Sequence, residues 1–172
     1  EPGAAGAVGA ITVVLRNASG SARGHFLSVN ASAVANVSIW IVDSTLDVGA
    51  DASGSASAAC VFNASGATGI TIVAERSAIT VTASSNSTTC ALSVIAPPSG
   101  ALLLSDVTIA AVDSSVAVSN TGDGGAAAMS VWAVAESVEV RMRQATVVLV
   151  RSGLSAMASS NARGRLHTIL SK

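Results

Sequence analysis

No tyrosine occurs in the 172 residues, and Phe26, Trp40, Phe62 and Trp132 are the only aromatic side chains. That scarcity excludes a globular core organised around large rings. Half the chain is hydrophobic, in the main Ala, Val, Ile and Leu, and such small aliphatics suit a narrow, regularly stacked interior. Charge is equally sparse, nine basic against ten acidic residues for a net charge of -1. No basic patch interleaved with aromatics is present, which argues against nucleic acid as a partner. No apolar run approaches the roughly 18 residues that span a bilayer, and no signal peptide is visible. Membrane contact by this segment itself is therefore not expected. Two cysteines and two distant histidines, His25 and His167, are too few for a zinc site.

What is present is a repeat. The stretch VSIWIVDSTLDV (37–48) places aliphatic residues at its first, third, tenth and twelfth positions, as do ITIVAERSAITV (70–81), VTIAAVDSSVAV (107–118) and VEVRMRQATVVL (138–149). Taking Leu46, Ile79, Val116 and Val147 as equivalent anchors gives spacings of 33, 37 and 31 residues, a range that signals a solenoid or an array. Within each copy apolar and polar residues alternate in twos, which is strand periodicity. A small residue returns at the eighth position (Ser44, Ser77, Ser114, Ala145), where the strand can turn a corner. Runs at 26–30, 60–63, 91–96 and 130–135 supply a third strand per copy. AITV at 10–13 duplicates AITV at 78–81, and Ala162-Arg163-Gly164 echoes Ala22-Arg23-Gly24, so the pattern extends toward both ends.

The expected fold is all-β: a parallel, right-handed β-helix or β-solenoid of about five coils, counting incomplete ones. Residues 1–172 are read as a single solenoid segment of a larger protein, since the chain opens on Glu1-Pro2 and stops at Lys172 in mid-pattern. A β-sandwich is the structural alternative, and the Ala-rich run 126–135 also admits a helix. Gly-, Pro-, Ser- and Asn-rich stretches between the strands read as loops leaving the coil.

Asn17, Asn30, Asn36, Asn63 and Asn86 each open an N-x-[ST] triplet. Seven asparagines at this Ser/Thr content would give roughly 1.6 such triplets by chance, and the enrichment to five favours N-glycosylation on a cell-surface or secreted protein. Cys60 and Cys90 both stand at the start of the first strand of successive coils, so stacking predicts a disulfide in an oxidising compartment, with two buried thiols as the alternative. The seventh position of the repeat runs Asp43, Arg76, Asp113, Gln144, an exposed ladder of alternating charge. Parallel β-helices of the pectin-lyase-like kind often act on acidic polysaccharides through clustered carboxylates with calcium. Asp43, Asp47 and Asp51 admit that reading, but Thr80, Ala117 and Val148 replace Asp47 in the other copies. His25 and His167 lack a nucleophile context and read as surface residues. Thr121-Gly-Asp-Gly-Gly125 lacks the spaced ligands of a calcium loop and reads as a turn. Trp40 and Trp132 are expected to be buried. No catalytic, cofactor or metal residue is assigned.

Three stretches carry a resemblance: RNASGSARGHFLSVNAS (16–32), VSIWIVDSTLDV (37–48) and SSNSTTCALSVIAPPSGALLLSDVTI (84–109). They resemble the dispersed gene family of trypanosomatid surface proteins, in overall texture through essentially the whole chain rather than in a short motif. The resemblance implies a segment of the ectodomain of a very large Ser/Ala/Val-rich glycoprotein with β-helix-like repeats, anchored in the membrane outside this segment and engaged in host contact. The family lends no catalytic residues. The expected function is a non-enzymatic adhesion module whose partners are host-cell or extracellular-matrix proteins or glycans, besides adjacent coils of the same chain. The alternatives are an extracellular polysaccharide lyase or hydrolase on this fold, and a structural spacer or immune decoy.

Overall fold

The computed structural model describes residues 7–31, 33–50, 54, 56–63, 66–87, 89–96, 102–133 and 140–158. Their strands are β1 (Ala7–Arg16), β2 (Ser19–Arg23), β3 (His25–Ala31), β4 (Ala33–Val42), β5 (Thr45–Ala50), β6 (Ser57–Asn63), β7 (Gly66–Glu75), β8 (Ala78–Ala83), β9 (Thr89–Ala96), β10 (Leu102–Val112), β11 (Ser115–Asn120), β12 (Ala126–Ala133), β13 (Val140–Val150) and β14 (Gly153–Ala158). They form three parallel sheets: β1-β4-β7-β10-β13, β2-β5-β8-β11-β14 and β3-β6-β9-β12, here sheets A, B and C. Each coil contributes one strand to each sheet in chain order, which is a parallel β-helix. The antiparallel pairing of a sandwich is absent from the described residues, and residues 126–133 form a strand rather than a helix.

The two-residue alternation selects the inward face, and parallel in-register stacking turns it into ladders. On sheet A, Ile39, Ile72, Ile109 and Val147 stack behind Val13. On sheet B the inward row is Gly20, Leu46, Ile79, Val116, Leu154, and on sheet C it is Leu27, Ala59, Leu92, Met129. Ile39, Ile41, Leu46, Ile70, Ile72, Ile79 and Ile109 are fully buried. Gly20 leaves a gap in its row that Phe26 fills, its ring carbon lying 3.4 Å from where a Cβ would stand.

The fourth copy of the repeat is registered differently from the expectation. Val147 stacks on Ile109 in sheet A, while the residue equivalent to Leu46, Ile79 and Val116 is Leu154. Residues 145–156 (ATVVLVRSGLSA) thus correspond to 37–48, and residues 11–22 (ITVVLRNASGSA) do so at the other end. The two AITV stretches are likewise not equivalent: 10–13 lies in β1 of sheet A and 78–81 in β8 of sheet B.

The corner between sheets A and B explains the register. Asn17, Asp43, Arg76, Asp113 and Arg151 all have left-handed backbone, with φ of 50°, 50°, 46°, 48° and 46°, a conformation that turns the chain sharply from one sheet to the next and that Asn and Asp tolerate best. The next residue is Ser44, Ser77, Ser114 or Ser152 in four of the coils. Each hydroxyl donates to the carbonyl two residues back, Ser44 to Val42 at 2.7 Å, Ser77 to Glu75 at 2.8 Å, Ser114 to Val112 at 2.8 Å and Ser152 to Val150 at 2.8 Å. Each also accepts from the backbone N–H one coil back: Ala18, Ser44, Ser77 and Ser114 donate to Ser44, Ser77, Ser114 and Ser152 at 3.1 to 3.2 Å. A buried N–H that the corner removes from the sheet ladder is thereby satisfied. A second left-handed row, Ala10, Asn36, Gly69, Asp106 and Gln144, bends every strand of sheet A near its middle.

The turn 121–125 packs backbone to backbone on the preceding coil. A Cβ on Gly122 would stand 2.5 Å from Ser85 backbone atoms, and one on Gly124 would stand 2.1 Å from the Ser87 carbonyl oxygen. Asn120, 1% exposed, ties the two turns together by accepting from the N–H groups of Ser85 and Gly122 and donating to the carbonyls of Ser87 and Gly125.

Replacing Ser77 by Ala orphans the Ser44 N–H inside the corner, so Ser77→Ala should lower the unfolding free energy by about 1–3 kcal/mol, read from the urea midpoint at constant m-value. Thr80→Ala, on the exposed face of the same coil, should cost less than about 0.5 kcal/mol.

Candidate functional site

The corner carries the charge ladder, with one member changed. Gln144 is not part of it: it lies in the bend of sheet A, opposite Asp106, and Arg151 stands in the corner instead. The order Asp43, Arg76, Asp113, Arg151 gives two bidentate pairs. Arg76 donates to both oxygens of Asp43, at 2.6 and 2.9 Å, and Arg151 to both of Asp113, at 2.5 and 2.6 Å. Arg76 also reaches the Glu75 carboxylate. Hydrogen bonds from the arginines hold Asp43 and Asp113 below the usual carboxylate range. These are solvent-facing pairs at a structural corner.

Sheet C brings together the groups most capable of chemistry. His25 and Ser57 are register partners on adjacent coils, and His25 Nδ1 lies 2.7 Å from Ser57 Oγ. His25 is therefore a half-buried, hydrogen-bonded residue rather than a surface histidine, and burial pushes its pKa below 6.5. Ser57 is 1% exposed, so a substrate carbonyl has no approach to its hydroxyl. Cys60, fully buried, has its thiol pushed up to about 12 by desolvation and stays protonated, unlike a nucleophilic cysteine.

Cys60 and Cys90 do not form the expected disulfide; neither is bridged and both are buried. Cys60 is opposite Ser93, three residues beyond Cys90. In an extended strand that offset is roughly 10 Å at about 3.3 Å per residue, past the Cα separation of about 7 Å that a bridge tolerates.

The expected carboxylate cluster is not assembled either. Asp43 is bound to Arg76 at the corner, Asp47 points outward from sheet B, and Asp51 lies outside the described residues, as do His167, Arg163 and Arg165. Among the described residues no three His, Cys, Asp or Glu side chains are grouped to hold a metal ion, and no helix is long and apolar enough to cross a membrane.

The outer faces remain. Asn17, Asn30, Asn36 and Asn86 are exposed: at the A–B corner, on sheet C, at the bend of sheet A and in the B–C turn. Asn63 is in β6, its side chain outside the described set. Trp40 is 36% exposed on the outer face of sheet A, not buried. Its register partner Val73, also outward, is 7% exposed, the cover expected when ring and isopropyl group pack side by side across strands. The Trp132 side chain is outside the described residues. On sheet B an open depression of about 440 Å³ is lined by Ser21, Ala22, Arg23, Asp47, Gly49 and Thr82.

No family model, curated protein or solved structure matches the chain.

Two measurements test the polar groups. Ellman's reagent should find no reactive thiol in the native protein and two after denaturation; a native disulfide would leave none in either state. Stability should fall in two acid steps. Unfolded His25 takes a proton near pH 6.5 that the folded residue refuses, so stability present above that pH declines below it until the lowered folded pKa is passed; His25→Gln should remove the step. The Asp43 and Asp113 contributions hold above their ordinary pKa of 3.8 and vanish as pH drops through the lowered folded values. Asp43→Asn with Asp113→Asn should flatten that part of a melting-temperature profile.

Proposed function

We propose that this segment is a non-enzymatic, N-glycosylated surface module that mediates adhesion to host cells or matrix through the outer faces of its coils. The supporting observation is the position of the sequons: Asn17, Asn30, Asn36 and Asn86 are all exposed, on different sides of the stack. Asparagines that open acceptor triplets and sit in water around a rigid core suit an exported glycoprotein. The resemblance to the dispersed gene family of trypanosomatid surface proteins points to the same setting, with the anchor elsewhere in a longer parent. Stacked coils add a physical reason, because repeated flat faces favour weak contacts summed over many sites.

The chain expressed through a eukaryotic secretory route should gain several N-glycans, seen as a mass loss on enzymatic deglycosylation. Beads coated with the deglycosylated chain should adhere to host cells or matrix above a scrambled-face control of equal stability. An unmodified secreted chain, or adhesion equal to that control, would sink the proposal.

A further inference from the structure

Sheet B is the face that the sequons leave clear. None of β2, β5, β8, β11 and β14 contains an acceptor asparagine, whereas Asn30 is on sheet C, Asn36 on sheet A, and Asn17 and Asn86 in the connections. That face also carries a glycine that the fold does not require. Gly24 and Gly69 have positive φ, and Gly122 and Gly124 are pressed against backbone. Gly49 has neither reason: its φ is ordinary for a strand, and a Cβ there would come no closer than 4.0 Å, to the Thr82 carbonyl oxygen. A strand-interior glycine weakens the strand and often marks a place where a ligand approaches the backbone.

Gly49 forms the floor of the sheet B depression. Its register neighbours are Arg23 on one coil and Thr82 on the other. Two residues back along the strands, Asp47 sits opposite Ser21. The notch therefore has a guanidinium with donors only, a carboxylate with acceptors only, two hydroxyls that serve as both, and exposed peptide at its base. Among the described residues its lining carries one formal charge of each sign, Arg23 and Asp47, which gives no preference for an anion or a cation. A carboxylate that accepts from two vicinal hydroxyls, in one depression with a guanidinium whose five N–H donors exceed what its contact within the chain uses, is complementary to a neutral polyol.

We propose that this notch is a binding subsite for a neutral pyranose, such as an unsubstituted hexose of a host glycan. The inference deepens the adhesion reading by naming face and ligand class, and it rests on that reading for the source of the sugar. An open site without an aromatic platform holds one sugar weakly, with Kd on the order of millimolar, and gains avidity from multiple copies.

The test uses the full, non-glycosylated chain and two-dimensional NMR, titrating methyl galactoside and methyl mannoside in parallel with N-acetylneuraminate. Saturable shifts at Ser21, Arg23, Asp47 and Thr82 are expected with at least one neutral sugar. Gly49→Val, which fills the notch where the backbone leaves room, should weaken binding at least tenfold with unchanged circular dichroism and a urea midpoint that does not fall; Asp47→Asn should weaken it too. Absence of saturable shifts, binding unaffected by Gly49→Val, shifts centred on Trp40, or tighter binding of the anionic sugar would each overturn the proposal. Sugar binding by a chain that fails in the bead assay would refute adhesion while leaving the subsite intact, and adhesion unchanged by Gly49→Val would refute the subsite's role while leaving adhesion intact.

Discussion

The fold depends on satisfying the backbone at one corner. Turning from sheet A to sheet B within a single residue places Asn17, Asp43, Arg76, Asp113 and Arg151 in the left-handed region, and a non-glycine residue there carries an intrinsic penalty of roughly 1–2 kcal/mol. The turn also removes an N–H from the sheet ladder. The serine column answers both requirements, since each hydroxyl locks its own corner to the carbonyl two residues back and receives the N–H of the neighbouring coil. With that serine in four of the five described corners, and Ala18 tied to Ser44 in the first, the inward aliphatics of sheets A and B come into register on either side.

Once the corner is set, the surface is free to differ from coil to coil. The inward rows are filled mainly by aliphatic residues, with Phe26 compensating for Gly20. Outward rows carry Thr, Ser, Arg, Asp, Val and Trp without disturbing the stack. The same separation bears on His25, Ser57, Cys60 and Cys90. Ser57, Cys60 and Cys90 are buried on sheet C and His25 is half-buried against Ser57, whereas the charged side chains of the corner ladder, and Arg23 and Asp47 on sheet B, face water.

Much of this was legible in the residues. Alternation marked the inward faces, and the three strands per coil follow the hydrophobic runs at 26–30, 37–48 and their later counterparts. The fourth copy was not, because 138–149 and 145–156 both alternate; hydrophobicity cannot choose between them, and the residue that does choose is Ser152, through its bond to Ser114. The dipeptides Asp43-Ser44, Arg76-Ser77, Asp113-Ser114 and Arg151-Ser152 were the available signal. The bend in sheet A left a fainter trace, since Asn36, Gly69 and Asp106 are residue types that tolerate left-handed backbone whereas Ala10 and Gln144 are not. The cysteines misled because similar strand positions are not the same register, and a three-residue shift suffices to separate two thiols. The notch on sheet B depends on the absence of a side chain at Gly49, which acquires meaning only beside Arg23 and Thr82.

The parallel stacking has a mechanical consequence. All the inter-strand hydrogen bonds run along the axis of the solenoid, and each coil touches only its neighbours. Tension applied to the two ends therefore does not shear many bonds together, as it would in a sheet pulled along its strands. It loads the outermost coil alone and peels it away, releasing over thirty residues of slack before the next coil feels the pull, as the 33- and 37-residue steps from Leu46 to Ile79 and on to Val116 require. Such a stack yields in steps under load, lengthening before it breaks.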